Sequence, residues 1–171
     1  MPRCIPFLLA AALLPSCGYH VAGRGTQIPK EVRAIAVLPF ANATSRFKLD
    51  QYLTRAVARE LIVRTRFRVL AEQAEADATL SGGVTNIFLT PVIFDPASGR
   101  ATTIQVITQM QVTLTERRTG KVLYQNQNWE ARERYEVSVD PKAYFEESEV
   151  ALERMSRSVA RALVSSILEA F

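Results

Sequence analysis

The sequence predicts a two-layer α+β domain in which two amphipathic helices pack on one face of a mixed four-stranded sheet. The strongest observation is a period of two in Thr102–Thr115, where apolar side chains fall on even positions and Gln or Thr on most odd ones. The second is a pair of segments whose apolar residues recur at helical spacing. The third is Ala34–Phe40, whose short apolar run is typical of a buried strand. The predicted order is β-α-β-β-β-α.

Both helices are predicted from apolar stripes with basic residues on the opposite side. The first stripe comprises Leu49, Tyr52, Leu53, Ala56, Val57 and Leu61. The second comprises Leu152, Met155, Val159, Leu163, Ile167 and Phe171, and it predicts a helix that runs to Phe171. Asp140-Pro141 opens this last helix, because Asp is a preferred N-cap and Pro suits the first helical position. A brief strand is expected between the helices, at Arg66–Leu70.

The middle of the chain is predicted to form an antiparallel meander. Thr79–Leu89 is a strand interrupted by Gly82-Gly83, which indicates a bulge or a close backbone approach. Pro91–Arg100 is predicted to be a loop, since it is rich in Pro, Gly, Asp and Ser. Arg117–Lys121 is a hairpin turn that returns the chain along Val122–Arg134. The apolar face of the long strand then lies under the helices, and its Gln/Thr face is left for water or a partner.

The N-terminus predicts a bacterial lipoprotein. Arg3 precedes the apolar run Ile5–Leu14, and the small residue Ser16 comes directly before Cys17. The run is too short for a membrane-spanning helix, which needs about 20 residues. We expect residues 1–16 to be removed as a signal peptide and the Cys17 thiol to carry lipid, whose buried CH2 groups anchor the chain. Residues 17–30 then form a linker, and residues 31–171 form one domain.

Charge and cysteine content limit the classes of partner. The formal net charge of +4 and the isoelectric point near 9.3 suit an anionic partner such as a phosphorylated lipid. They are too weak to predict nucleic-acid binding, and a domain that is basic by chance is an equal alternative. Cys4 leaves with the signal peptide, so Cys17 has no partner for a disulfide.

The residues needed for catalysis are sparse, and we expect a protein that is not an enzyme. The only His, His20, lies in the linker, and Cys17 is predicted to be acylated, so nucleophile schemes and His/Cys metal sites are not expected. Glu146, Glu147 and Glu149 cluster where negative charge favours a helix N-terminus. We therefore expect no metal and no cofactor apart from the covalent lipid.

Several short motifs, in their order and spacing along the whole mature chain, resemble the lipopolysaccharide-assembly lipoprotein family, LptE. They are Gly18–His20 after the cysteine, Gly23–Gly25, Leu38–Asn42 with Thr44, Thr90–Asp95, Gly99–Ala101, Arg118–Tyr124 and Asp140-Pro141. The resemblance implies an outer-membrane lipoprotein on the periplasmic face. It also implies that the chain plugs a large LptD-type β-barrel, helps that barrel assemble, and assists lipopolysaccharide transport to the cell surface.

The resemblance also implies lipopolysaccharide contacts through basic residues in two loop regions. The expected topology brings Pro91–Arg100, the turn before the last helix and, if its strand is parallel, Ala41–Lys48 to one end of the sheet. The candidate residues there are Arg46, Lys48, Arg100 and Lys142. Our hypothesis is that Arg100 and Lys142 pair with lipid A or core phosphates. Solvated loop charges are the alternative.

Two other functions stay open at this point. Ile35–Phe40, with Asn42 and Thr44, also resembles the opening of lipoproteins that activate a peptidoglycan synthase and of lipoproteins that build a secretion pore. The Arg-Thr-Gly-Lys turn of the long hairpin favours the assembly family. A cell-wall hydrolase that uses Glu146 or Glu147 is the third reading, and no spacing supports it.

Overall fold

A computed structural model describes the backbone of residues 28–29, 31–136 and 141–170, and their side chains apart from those of residue 135 and residues 141–149. Six strands and two helices follow one another: β1 (Ala34–Val37), β2 (Ala41–Asn42), α1 (Leu49–Arg64), β3 (Arg68–Leu70), β4 (Ala78–Phe94), β5 (Ala101–Glu116), β6 (Val122–Glu136) and α2 (Pro141–Glu169). The predicted α+β fold is confirmed. The predictions for Cys17, His20, Asp140 and Phe171 lie outside the described residues.

The sheet is mixed, as predicted, but it has six strands where four were expected. Its order is β3-β1-β4-β5-β6, with β2 paired to β4 beside β1. The pairs of β1 with β3, β1 with β4 and β2 with β4 are parallel, and the β4-β5-β6 meander is antiparallel. The brief strand predicted at Arg66–Leu70 joins the sheet as β3, beyond the four strands expected, and the dipeptide Ala41-Asn42 forms β2, which was not predicted. Such short pairings leave little periodicity in a sequence.

Gly82 and Gly83 allow the main chains of neighbouring strands to approach closely. A Cβ atom on Gly82 would lie 2.5 Å from the Gln111 carbonyl oxygen and 2.8 Å from a Phe40 ring carbon. A Cβ atom on Gly83 would lie 2.9 Å from the Ala41 Cβ. The close approach predicted from this pair is confirmed, and it explains how the chain after β1 can settle against β4 as β2.

β4 continues through Pro91 to Phe94, so the prediction that a loop begins at Pro91 is wrong. Beyond Val84, the described residues pair with β4 on one side only, through β5. A proline is tolerated in a strand that has a free edge, because its missing N–H need not belong to the ladder. The loop is confined to residues 95–100.

The core lies between the helices and the even-numbered face of β5. Val106, Met110, Val112 and Leu114 are buried on β5, as the period of two predicts. The predicted stripes are confirmed: α1 buries Leu49, Leu53, Val57 and Leu61, and α2 buries Met155, Val159, Leu163 and Ile167. Hydrogen bonds add to this packing, since the Tyr124 hydroxyl lies 3.0 Å from that of Ser166 and Arg64 Nη1 donates to Ser165 Oγ over 2.6 Å.

Candidate functional site

The sheet extends well past its parallel strands as an antiparallel arm. We call residues 85–107 the arm: they comprise β4 from Thr85, the turn at 95–100 and β5 to Ile107. Phe94 lies ten residues beyond Val84, a distance of roughly 30 Å along an extended strand. β6 follows the arm on the far side of β5, where Glu136 pairs with Thr103. The arm therefore presents one strand edge and a turn away from the parallel half of the sheet.

The turn at the end of the arm is ordered by its own side chains. The Asp95 N–H donates to the Arg100 carbonyl oxygen over 2.8 Å, and Asp95 Oδ2 accepts the Ser98 N–H over 2.8 Å. Gly99 supplies the positive φ of 65° that closes the turn. Hydrogen bonds from the Ser98 hydroxyl and N–H lower the pKa of Asp95. Arg100 is thus carried by a turn of defined geometry.

A second ordered loop carries Arg46 and Lys48. Asn42 Oδ1 accepts the Thr44 N–H over 3.0 Å, and Asn42 Nδ2 donates to the Arg46 carbonyl oxygen over 2.8 Å. Lys48 precedes α1 with a φ of 61°, and its ammonium lies 5.3 Å from the centre of the Phe47 ring. The Phe47 side chain is 79% exposed. The polar Asn42–Thr44 motif therefore holds a basic loop with one exposed aromatic side chain.

The structure separates Arg46 and Lys48 from Arg100. β1 and β2 do run parallel to β4, as required for a shared end, but β2 reaches only Val84. The loop with Arg46 and Lys48 therefore follows the middle of β4, whereas Arg100 lies in the turn some 30 Å further along it. Lys142 is in the first turn of α2, six residues after Glu136 at the arm end of β6. The Lys142 side chain lies outside the described side chains, so its placement beside Arg100 stays a prediction.

Sequence reasoning missed the most distinctive feature of the arm, its exposed apolar side chains. Phe88, Leu89, Val92, Ile93 and Phe94 are all exposed large hydrophobic residues, with Ile93 and Phe94 more than half exposed. The signal was present as an uninterrupted apolar and Thr run from Ile87 to Phe94. A proline in such a run is also typical of a loop, and this is why the pattern predicts a strand that ends before Pro91.

Two open grooves lie elsewhere on the described surface. One groove of about 430 Å³ runs between the outer side of α1 and the ends of β1 and β3, with Val37, Val69 and Ile62 in its lining. Within the described ranges, no three His, Cys, Asp or Glu side chains come together as metal ligands. Neither described helix has both the length and the apolar character needed to cross a bilayer.

The geometry defines a class of protein before any comparison: an α+β domain that offers an extended strand surface and basic loops for binding. The model of the lipopolysaccharide-assembly family, LptE, matches residues 32–167. The chain therefore belongs to the LptE family, a family of outer-membrane lipoproteins concerned with lipopolysaccharide assembly. No curated protein sequence matches the chain.

Solved structures share the fold at low sequence identity. A Xanthomonas campestris protein has a TM-score of 0.54 at 12% identity, with 88% of this chain and 91% of that chain covered. A Chlamydia trachomatis protein has a TM-score of 0.50 at 9% identity, with 82% and 100% covered. The rare lipoprotein B of Shewanella oneidensis has a TM-score of 0.49 at 16% identity, with 77% and 92% covered. These likenesses concern the fold.

Proposed function

We propose that this chain is a non-enzymatic, lipid-anchored protein on the periplasmic face of the outer membrane. In this role it plugs and helps assemble an LptD-type β-barrel and assists lipopolysaccharide transport to the cell surface. The observation that carries the proposal is the family match, which spans the sheet and both helices. The anchor in this proposal is lipid on Cys17, after removal of residues 1–16.

The shape and polarity of the domain support the plug role. The lumen of a large barrel is polar, so a plug needs a hydrated sheet face and strand edges that can form hydrogen bonds. The odd-numbered face of β5 carries Gln105, Gln109, Gln111 and Thr113, none of them fully buried. A Gln or Thr side chain can form hydrogen bonds with a polar wall without the desolvation cost of a charge.

The basic loops support contact with lipopolysaccharide phosphates. Arg100 lies in the ordered turn of the arm, and Lys142 begins the helix that follows the arm end of β6. A guanidinium group can pair with phosphate in bidentate geometry, and an ammonium group adds a point charge. We propose these two residues as the phosphate site, with Arg46 and Lys48 as a second, separate basic group.

The test is affinity purification of the tagged, lipidated chain from detergent-solubilised outer membrane, followed by mass spectrometry. A large β-barrel in roughly one-to-one ratio is the expected result. The Cys17→Ser variant is the matched control for anchoring, and it should leave the membrane fraction. A penicillin-binding protein, or a ring of self-copies without a barrel, would contradict the proposal in favour of a synthase activator or a secretion pore.

A further inference from the structure

The outer edge of β4 in the arm has no strand beside it among the described residues. β1 pairs with Ala78–Leu80 and β2 pairs with Gly83-Val84, and both pairings stop before Thr85. From Thr85 to Phe94, β4 is paired only with β5. A strand with one unpaired side presents a row of backbone N–H and C=O groups, which is a template for another strand.

The register identifies the main-chain groups that face outward. The carbonyl oxygens of Leu80 and Val84 accept from Leu38 and Ala43, so even residues of β4 face away from β5 up to Val84. Thr85 is then an extra residue, because Val84 pairs with Met110 and Asn86 with Gln109. Main-chain N–H and C=O groups alternate in direction along a strand. Past this bulge, the main-chain groups of Ile87, Leu89 and Pro91 therefore point away from β5. Pro91 therefore stands where its missing N–H costs no bond to β5.

The bulge also leaves apolar side chains on both faces of the arm. Before it, the buried residues of β4 are even-numbered, as at Leu80 and Val84. After it, Ile87 and Leu89 pair with Thr108 and Val106 and share the face of these buried β5 residues, while Phe88 and Ile93 pair with Ile107 and Thr103 on the other face. A partner strand at this edge would therefore gain apolar contacts above and below the plane of the sheet.

The two long edges of the same sheet differ in their protection. β6, at the other edge, carries Glu130, Arg132, Glu133, Arg134 and Glu136, and charged side chains are a usual defence against edge-to-edge pairing. The residues of β4 from Thr85 to Phe94 include no charged side chain. The protection of β4 is instead the bulge at Thr85, the Asn86 side chain on the Ile87 N–H and the proline at Pro91, which together leave the Leu89 N–H and the outward carbonyl oxygens available to a partner strand.

The backbone chemistry selects the kind of partner. The Ile87 N–H already donates to Asn86 Oδ1 over 3.0 Å and Pro91 has no N–H, so Leu89 supplies the open outward donor among the described residues. An acyl chain laid on this edge would remove water from the Leu89 N–H and from the outward carbonyl oxygens and offer no partner in return, which carries a desolvation cost. An extended polypeptide segment satisfies the same groups through ladder hydrogen bonds. Because the edge carries no charge, the facing segment should be uncharged as well, since a charge lost from water without a partner is costly.

We propose that the β4 edge from Ile87 to Phe94 binds an extended, uncharged segment of the partner barrel protein by strand addition. This inference rests on the proposed function, since the barrel is the partner in question. The wall strands of a closed barrel are already paired on both sides, so the added strand must come from a loop or terminus of that protein. β4 would then lie between β5 and the added strand, as an inner strand of a larger sheet.

The test is amide hydrogen exchange, resolved to single residues, on the full lipidated chain alone and in its purified complex with the barrel. Leu89 should exchange at least 10-fold more slowly in the complex, because its N–H becomes bonded to the added strand, whereas the Ile87 N–H is already bonded to Asn86 Oδ1. Arg132 and Arg134, on β6, are the matched positions, and their rates should change far less. Equal slowing at both edges would indicate simple enclosure by the barrel and would overturn strand addition.

Two variants separate the hydrogen bond from the side chain. Leu89→Pro removes the outward N–H in the same way as the native Pro91, and Leu89→Lys adds a charge to the edge. Each should reduce recovery of the barrel at least 10-fold, whereas Gln127→Lys on the β6 edge should not. The unfolding temperature of each variant shows whether a loss of binding reflects a loss of fold. If a folded Leu89→Pro variant recovers as much of the barrel as the wild-type chain does, the inference is overturned.

The remaining outcomes distinguish this inference from the function it rests on. If the barrel is recovered but exchange at Leu89 is unchanged, strand addition fails and the proposed function stands. If no barrel accompanies the wild-type chain, both fail. If Leu89 is protected only in a complex with the mass of two copies of this chain, the edge pairs with itself and the barrel segment is excluded.

Discussion

The Asp77 carboxylate holds the start of β1 through Ala34, whose N–H donates to Asp77 Oδ2 over 2.9 Å. The same oxygen accepts the Arg33 N–H over 2.8 Å, and the Asp77 N–H donates back to the Ala34 carbonyl oxygen over 2.9 Å. The Asp77 carbonyl oxygen also accepts from Arg117, in the turn after β5. One residue at the entry to β4 therefore joins the parallel and antiparallel parts of the sheet.

The Asp77→Ala variant should lose about 1–2 kcal/mol of stability, since it leaves two N–H groups at the sheet end without their charged acceptor. Urea unfolding followed by circular dichroism measures the change. The control is Asp95→Ala, which disturbs only the exposed turn of the arm and should have a smaller effect. Equal losses in both variants would contradict the role given to Asp77.

The same carboxylate predicts a pH dependence of stability. The N–H groups of Arg33 and Ala34 lower the pKa of Asp77 below its ordinary value of 3.8. A carboxyl with a lowered folded-state pKa contributes stability above its unfolded-state pKa and loses it as the pH falls through the folded-state value. The free energy of unfolding of the wild type should therefore fall more than that of Asp77→Asn as the pH is lowered below 3.8. Parallel pH curves would contradict this assignment.

The Gly82→Ala variant should lose about 1–3 kcal/mol, because the new methyl group would overlap the Gln111 carbonyl oxygen, which belongs to the rigid main chain of β5. Gly99→Ala is the matched control. A Cβ there meets no atom within 4 Å, and the substitution carries only the cost of a positive φ, about 1 kcal/mol. Thermal unfolding ranks the two variants, and a larger loss for Gly99→Ala would contradict the close packing of Gly82 against β5 and Phe40.

The hydroxyl pair between Tyr124 and Ser166 should be measurable as a coupling between β6 and α2. Both groups are partly buried, and a hydrogen bond of this kind contributes about 0.5–1.5 kcal/mol. We expect Tyr124→Phe and Ser166→Ala each to destabilise the fold, and the double variant to lose less than the sum. Additive losses would show that the two hydroxyl groups do not share a bond in solution.

Sequence periodicity predicted the parts of the fold that bury one face. The even-numbered row of β5 and the stripe from Met155 to Ile167 are set by hydrophobic burial, which leaves a regular pattern. β2 could not be predicted from the sequence, because two residues have no period and their pairing with β4 depends on the space at Gly83. The arm was misread because a proline is compatible both with a loop and with a free strand edge.

The grouping of the basic residues could be predicted only in part, because it depends on both the direction and the length of the strands. Strand direction could be inferred, and β1 and β2 do run parallel to β4. Strand length could not be inferred, since no sequence rule states that β2 stops at Val84 while β4 continues to Phe94. The separation of Arg46 and Lys48 from Arg100 follows from that difference in length.

The distance of Arg46 and Lys48 from Arg100 predicts which basic residues bind lipopolysaccharide. A headgroup that pairs with Arg100 and Lys142 cannot also reach Arg46 and Lys48 if the loops lie roughly 30 Å apart along β4. The double reversal Arg100→Glu/Lys142→Glu should therefore weaken binding at least 10-fold, because it replaces attraction to phosphate with repulsion. Arg46→Glu/Lys48→Glu should change binding much less.

The control variant is Arg59→Glu/Arg157→Glu, on the exposed sides of α1 and α2, which changes the net charge by the same amount. Binding is measured with purified lipopolysaccharide in detergent. Wild-type affinity for lipopolysaccharide in the Arg100/Lys142 variant would rule out this phosphate site. Equal losses of affinity in all three variants would show that binding depends on the net charge alone.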